Sequence, residues 1–229
     1  APTVVVAPGM TLPPLPGGVD LSVGALMFVG AGLAGRMAVA GQPLTLCLAV
    51  MLAVGLVGGL LNGLLVTRLR LLAFIATLAT LYMGRGIGRW ITQTRAINLP
   101  ESFLVLGSAR WLGVPIVLWI TAGVVVAAQL VLMRTPFGRQ LYALGGNPEA
   151  AAKAGLRTRQ LTAAVYALCG LCAGLGGILA LTQLGAVSPK FGENYEFDAI
   201  TAAVLGGASL FGGRGTVFPG AVLGAVLLK

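Results

Sequence analysis

PLTLCLAVMLAVGLVGGLLNGLLVT, residues 43–67, runs for 25 residues without an Asp, Glu, Lys or Arg. A helix needs roughly 20 apolar residues to cross a bilayer core, so this stretch is long enough to span one. Two further stretches, residues 112–133 and 161–189, are equally free of charge. The whole chain of 229 residues is 57% hydrophobic and only 9% charged, with a mean hydropathy of +0.95. Soluble domains carry about 25% charged residues, so this composition is too poor in charge to cover a water-facing surface. The chain reads as an all-α polytopic membrane protein. The expected form is a single domain over residues 1–229, a bundle of six or seven transmembrane or half-membrane helices.

The charges that remain are informative. Fifteen basic residues face six acids, a net charge of +9. In a soluble protein this excess would point to nucleic acid. Here no basic stripe is interleaved with exposed aromatics, and cytoplasmic loops of membrane proteins collect Lys and Arg in any case. Nucleic acid is therefore not an expected partner, whereas membrane lipid is. The absence of histidine removes the usual general base and the commonest metal ligand. Cys47, Cys169 and Cys172 lie in apolar runs and read as buried small residues rather than redox or metal groups. No phosphate-binding G-x-x-x-x-G-K-[ST] motif occurs, so no catalytic residue, metal site or cofactor of the chain itself is expected.

Along the chain, residues 1–16 hold Pro2, Pro8, Pro13, Pro14 and Pro16, a spacing that predicts an irregular start. Asp20 then reads as the cap of a helix reaching Ala38. Further spans are predicted at 44–66, 71–83, 113–133 and 161–184, with apolar chain resuming at Ala199. Arg68, Arg70 and the 134–160 loop are the basic connections, which places them in the cytoplasm. Residues 185–198, with three acids and one Lys, belong outside. The outer segment 84–112 carries four arginines against this rule; snorkelling at the interface is the only account the sequence offers for them.

Two patterns concern assembly. Gly55, Gly59 and Gly63 recur every four residues and so share one helix face. Gly84/Gly88, Gly170/Gly174 and Gly220/Gly224 repeat the interval, which lets helix backbones approach closely in lipid. The 134–160 loop contains NPEAAAKAG: Asn147 as cap, Pro148 in the first helical position, alanines, and Gly155 as stop. Glu149 and Lys153 stand four apart in the favourable order. A stub of two turns is too short to be stable alone in water, so it is expected either to dock on something or to be a solvated connector that carries cytoplasmic positive charge.

Taken together, GGVDLSVGA (17–25), GLLNGLL…LLAFIATLATLYMGRG (59–86), TPFGRQLYALGGNPEAAAKAGL (135–156) and YEFDAITAAVLGGASLFGGRGTVFPG (195–220) resemble the permease subunit of ribose-type ABC sugar importers. The resemblance implies a bacterial inner-membrane subunit that forms the path for a monosaccharide. It implies a second permease copy, a separate ABC ATPase subunit that holds ATP and Mg, and a periplasmic sugar-binding protein as partners. It assigns Asn147, Glu149, Ala150, Ala151, Lys153 and Gly155 to a coupling helix that sits in a cleft of the ATPase. Against the family pattern, this chain has TLPPLPGG at 11–18 and lacks helices at both ends, as a truncated chain would.

For the path itself, a charge at the bilayer centre costs about 3 kcal/mol, so Asp20 is read either as a helix cap near the cytoplasmic side or in a broken helix, or as a pore-lining acceptor for sugar hydroxyls. Asn62, beside the glycine face, is expected either to bond between helices or to touch substrate. Gly206, Gly207 and Ser209 lie in a stretch whose glycines suit irregular backbone at a cavity or an interfacial turn. Glu193, Glu196 and Asp198, with Tyr195, are candidates to receive the binding protein or to be an ordinary solvated loop. A stand-alone secondary transporter or channel is the rival reading, but it would need acids within the membrane for coupling ions. A fragment that retains the fold without transporting is the other.

Overall fold

The computed structural model describes residues 2–228, and eleven helices run through them. In chain order these are α1 (Pro2–Thr11), α2 (Val23–Val39), α3 (Leu44–Thr67), α4 (Ala73–Thr92), α5 (Glu101–Ser108), α6 (Ile116–Arg134), α7 (Pro136–Gly146), α8 (Pro148–Lys153), α9 (Thr158–Leu184), α10 (Tyr195–Leu205) and α11 (Val222–Leu227). The only strands among the described residues are two-residue pairs at one end of the bundle. There β1 (Ile97–Asn98) pairs with β4 (Ala186–Val187), and β2 (Arg110–Trp111) with β3 (Val114–Pro115). Three helices, α3, α6 and α9, are long and apolar enough to cross a membrane. Beside them lie α4, which carries Arg85 and Arg89 within its 20 residues, and α2, which has 17.

Burial sorts the spans. In α9, 72% of the most apolar stretch is buried, against 22% in α3 and 17% in α6. The centre of the bundle is therefore α9, with α1 and α2 against it, while α3 and α6 turn most of their apolar surface outward toward lipid. The main core joins Phe28, Met27, Met51, Phe103 and Leu181 with Cys47 and Cys169. The three cysteines are unpaired thiols, two of them buried and Cys172 half-buried.

The glycine faces meet one another. A Cβ added to Gly55 would collide with the carbonyl of Gly170, one on Gly59 with that of Tyr166, and one on Gly170 with that of Gly55. Hence the 55/59/63 face of α3 lies backbone to backbone on the 170/174 face of α9. Gly84 and Gly88 seat α4 against Ala25 and Phe28 of α2, and Gly220 and Gly224 seat the last segment against Gly206 and Ala202. All four spaced pairs are thus helix contacts.

Three features differ from the sequence expectation. The first is the start of the chain: where irregular structure is expected over residues 1–16, Pro2–Thr11 is helical and almost wholly buried. Pro2 occupies the first turn, where no N–H is required, and the one interior proline, Pro8, leaves a single carbonyl, that of Val4, without its helical donor. Pro13, Pro14 and Pro16 fall beyond the helix end and build the turn that follows; Gly17 N and Gly18 N close it on Pro14 O and Pro13 O at 2.8 and 2.9 Å. Second, α4 continues to Thr92 rather than ending near residue 83. Third, the 134–160 connection is mostly helical, since Thr135 caps α7 ahead of the predicted stub.

The same substitution is expected to act with opposite sign at two positions in this bundle. Gly59→Ala forces a methyl group into the backbone of α9 and destabilises by about 1–3 kcal/mol. Gly86→Ala meets open space on an exposed helix face and stabilises by roughly 0.5–1 kcal/mol. Thermal unfolding in detergent checks the pair, and a neutral Gly59→Ala would refute the close α3–α9 seam.

Candidate functional site

Asp20 and Asn62, 42 residues apart in sequence, come together in a buried polar layer. Asp20 follows the proline turn and is fully enclosed, as are Ser22 and Asn62. Asp20 Oδ1 accepts hydrogen bonds from Ser22 N at 2.9 Å and Ser22 Oγ at 2.7 Å. Asn62 Nδ2 donates to Ser22 Oγ at 2.8 Å and reaches Asp20 Oδ1 at 3.4 Å. Thr80 Oγ1 donates to Asn62 Oδ1 at 2.6 Å. Two helices, α3 and α4, and the turn before α2 are thus joined through one amide. Asn62 stands five residues before the end of α3 and Thr80 seven residues into α4, so the layer lies about 8–10 Å inside the basic end of the bundle.

The layer is not saturated. Asp20 Oδ2 and the hydroxyl of Tyr166 are buried without a hydrogen-bond partner. The Tyr166 ring, on α9, closes on the backbone of Gly18, where an added Cβ would collide with its hydroxyl. Asp20 does not cap α2 as the sequence suggests. The helix begins at Val23, and the carboxylate instead folds back onto Ser22, a local bond that short acidic side chains favour over a cap. Both Asp20 and Asn62 have 0% exposure, so in this conformation neither faces a cavity.

Gly206, Gly207 and Ser209, predicted with them, lie elsewhere. They form the turn after α10, with Gly207 at φ +87° and Ser209 N donating to Arg214 O at 2.8 Å. The turn is tied to the basic end: Gly213 N donates to Leu15 O at 3.0 Å, and the Tyr142 hydroxyl of α7 donates to Gly215 O. Burial raises the Tyr142 phenol above its ordinary value, so it remains a donor at neutral pH. The proline turn at 12–17 therefore stands between the glycine-rich turn and the Asp20 layer and touches both.

At the basic end the stub has the predicted form. Asn147 Oδ1 accepts from Ala150 N at 2.9 Å, Lys153 Nζ lies 2.7 Å from Glu149, and Gly155 takes φ +82°. Its faces are unequal, which the sequence does not show. Ala151 is 5% exposed and packs against Leu144 and Leu161, so it anchors the stub rather than presenting itself to a partner. Asn147, Glu149, Ala150 and Lys153 stand outward in solvent. The ion pair there is exposed and contributes about 0.3–0.5 kcal/mol at most.

At the opposite end Arg85 answers for one of the four arginines. It is not at an interface but buried, donating from Nη1 to Phe191 O and from Nη2 to Gly192 O, both at 2.7 Å, with its guanidinium 5.7 Å from the centre of the Phe28 ring. It thereby ties α4 to the segment after β4. Glu196 is 4% exposed beside it and cannot serve as a docking acid, whereas Glu193 is exposed and Asp198 half-buried. Arg85, Ser22, Thr80 and Tyr166 escaped the sequence reading. The signal for Arg85 was present, a lone cation among Gly84, Gly86 and Gly88, where small neighbours let a guanidinium reach backbone.

Comparison with known proteins now bears on this arrangement. A family described as branched-chain amino acid transport system / permease component matches residues 1–229. The ribose import permease protein RbsC of Haemophilus influenzae is 36% identical over 229 residues, covering 98% of this chain and 71% of the relative. RbsC of Bacillus subtilis is 39% identical over 227 residues, with 98% and 70% covered. The autoinducer 2 import system permease protein LsrC of Photorhabdus laumondii is 36% identical over 226 residues, with 98% and 68% covered. No solved structure matches. With the family matched from end to end and relatives well above 30% identity, this helical membrane chain belongs to the permease components of the branched-chain amino acid transport system / permease component family.

Proposed function

We propose that the chain is the membrane-spanning subunit of an ATP-driven ABC importer in a bacterial inner membrane, passing a small polar solute of the sugar class. Ribose and autoinducer 2 are named for its relatives, and both readings of the solute fit a path lined by hydroxyl and amide groups. ATP and Mg would be held by a separate ATPase, and a second permease copy and a periplasmic binding protein would complete the assembly. The observation that carries this reading is the capped, alanine-rich stub standing out from the basic end of the bundle with its outer face bare. A two-turn helix held by its own cap and one anchoring alanine is rigid enough to transmit a push, and its small side chains admit a close-fitting cleft.

In this reading Asn147, Glu149, Ala150 and Lys153 meet the ATPase, while Ala151 and Gly155 set the stub's seat and its exit. Force on the stub passes through α7 to the glycine-rich turn at 206–215 and the proline turn at 12–17, because Tyr142 and Gly213 bond them. Those turns adjoin the Asp20–Asn62 layer. The layer is closed here; opening it would expose a carboxylate, an amide and three hydroxyls, the groups that recognise sugar hydroxyls. Gly206, Gly207 and Ser209 then act as the flexible floor beneath it rather than as solute ligands.

Two experiments test this. With the chain co-expressed with its ATPase, Ala150→Cys is expected to form a disulfide with a cysteine placed in the ATPase cleft, whereas the inward Ala151→Cys is not. Equal trapping at both positions, or at neither, would overturn the coupling role. Asp20→Asn preserves the shape of the layer and its acceptor oxygen, so the melting midpoint in detergent should move by less than the equivalent of about 1 kcal/mol. Uptake by the reconstituted importer should fall at least about tenfold, the loss of one charge-assisted hydrogen bond; undiminished uptake would remove Asp20 from the path.

A further inference from the structure

The end of the bundle opposite the stub holds cations that the coupling reading does not use. Arg36, in the last turn of α2, and Arg95, just beyond α4, line one cavity of about 440 Å³ together with Thr92 and Gln93. A second cavity, of about 570 Å³, shares Arg36 and Gln93 with it and continues over Leu33, Ile91 and Trp90. The two form one groove, cationic at one end and apolar along its length.

Several observations indicate what fills it. Arg36 Nε donates to Ile91 O at 2.7 Å, which orients the guanidinium and leaves both Nη groups without a protein acceptor. No acid lines either cavity, and neither arginine forms an ion pair with a carboxylate among the described residues. Trp90 is 80% exposed on the outward face of α4, the position that amphipathic rings take at a membrane–water boundary. Gln93, which lines both cavities, is the left-handed cap that ends α4, with Thr94 N donating to Arg89 O at 3.0 Å.

We propose that this groove is a binding site for an anionic phospholipid of the outer leaflet, its headgroup phosphate held between Arg36 and Arg95 and an acyl chain laid over Leu33, Ile91 and Trp90. The phosphate supplies the acceptors that the free Nη groups lack, in the bidentate geometry guanidinium favours. Two cations near the mouth of the groove distinguish an anionic headgroup from a zwitterionic one. The site also accounts for Arg95, one of the four arginines of the segment 84–112, against the usual distribution of charge: it is retained where a lipid neutralises it. The inference rests on the membrane-spanning reading and on the orientation that the basic loops imply, and is independent of the solute or the ATPase.

Native mass spectrometry of the detergent-solubilised chain, titrated separately with phosphatidylglycerol and phosphatidylcholine, tests it. Wild-type protein is expected to retain phosphatidylglycerol preferentially. A cation near an anionic lipid contributes a factor of about 5, so the Arg36→Gln/Arg95→Gln protein should retain it about 25-fold less well. Arg110→Gln, outside both cavities, should retain it as wild type does. Should the double variant fail to fold because the Ile91 bond is lost, Arg95→Gln alone should give the single factor of about 5. Equal retention of the two lipids overturns the proposal. So does displacement of phosphatidylglycerol by soluble glycerol 1-phosphate at comparable concentration, which would mark a site for free phosphate esters. Unchanged lipid retention in the double variant with loss of binding-protein-dependent uptake would reassign the surface to an acidic protein partner.

Discussion

Lipid gives apolar helices no reason to leave it, so the structure depends on how closely α3 and α9 approach. Where Gly55, Gly59 and Gly63 face Gly170 and Gly174, main chain lies on main chain, and dispersion contacts replace the hydrophobic drive that water would supply. Everything else takes its position from that seam. It sets the spacing at which α2 nests between α3, α4 and α9, and it brings Asn62, one residue from Gly63, to the depth of Asp20 and Ser22. A bundle with ordinary side chains along the seam would hold these groups too far apart to bond.

In the proposed coupling, the polar layer and the stub are two ends of one mechanical element. Between them lie only turns: the proline turn after α1, the glycine-rich turn after α10, and the short α7. Helices resist bending, whereas turns rich in proline and glycine change direction by small rotations at a few residues. The arrangement concentrates compliance where the basic end meets the bundle and leaves the α3–α9 seam rigid. Arg85 performs the converse task at the other end, fixing the 191–192 backbone to α4 so that the outer segment moves with that helix.

Much of this was legible in the sequence, and what was not has a common cause. The long charge-free runs, the four glycine pairs and the NPEAAAK stub each carry their signal within a few residues, and each was found as read. The proline-rich start was misread because local propensity was weighed without its surroundings. A helix interrupted at Pro8 survives inside a bundle that excludes competing water, although it would not survive alone. Ala151 among the alanines of the stub, and Glu196 among the acids at 193–198, stand within a few residues of like residues that point outward; only the packing of Leu144 and Leu161, or of Gly24, decides which way each faces. Asp20 and Asn62 were singled out separately, but a pairing across 42 residues has no local trace.

The enclosure of α1 has a consequence for how the molecule is made. The helices that surround it, α6, α9, α10 and α11, all come later in the chain. On a ribosome adding about 5–20 residues per second, the last of these walls emerges on the order of ten to forty seconds after α1 itself. Throughout that interval the slot that α1 occupies is not yet built. The helix enters it only once α11 has been made, so that an element translated before its walls is housed after them.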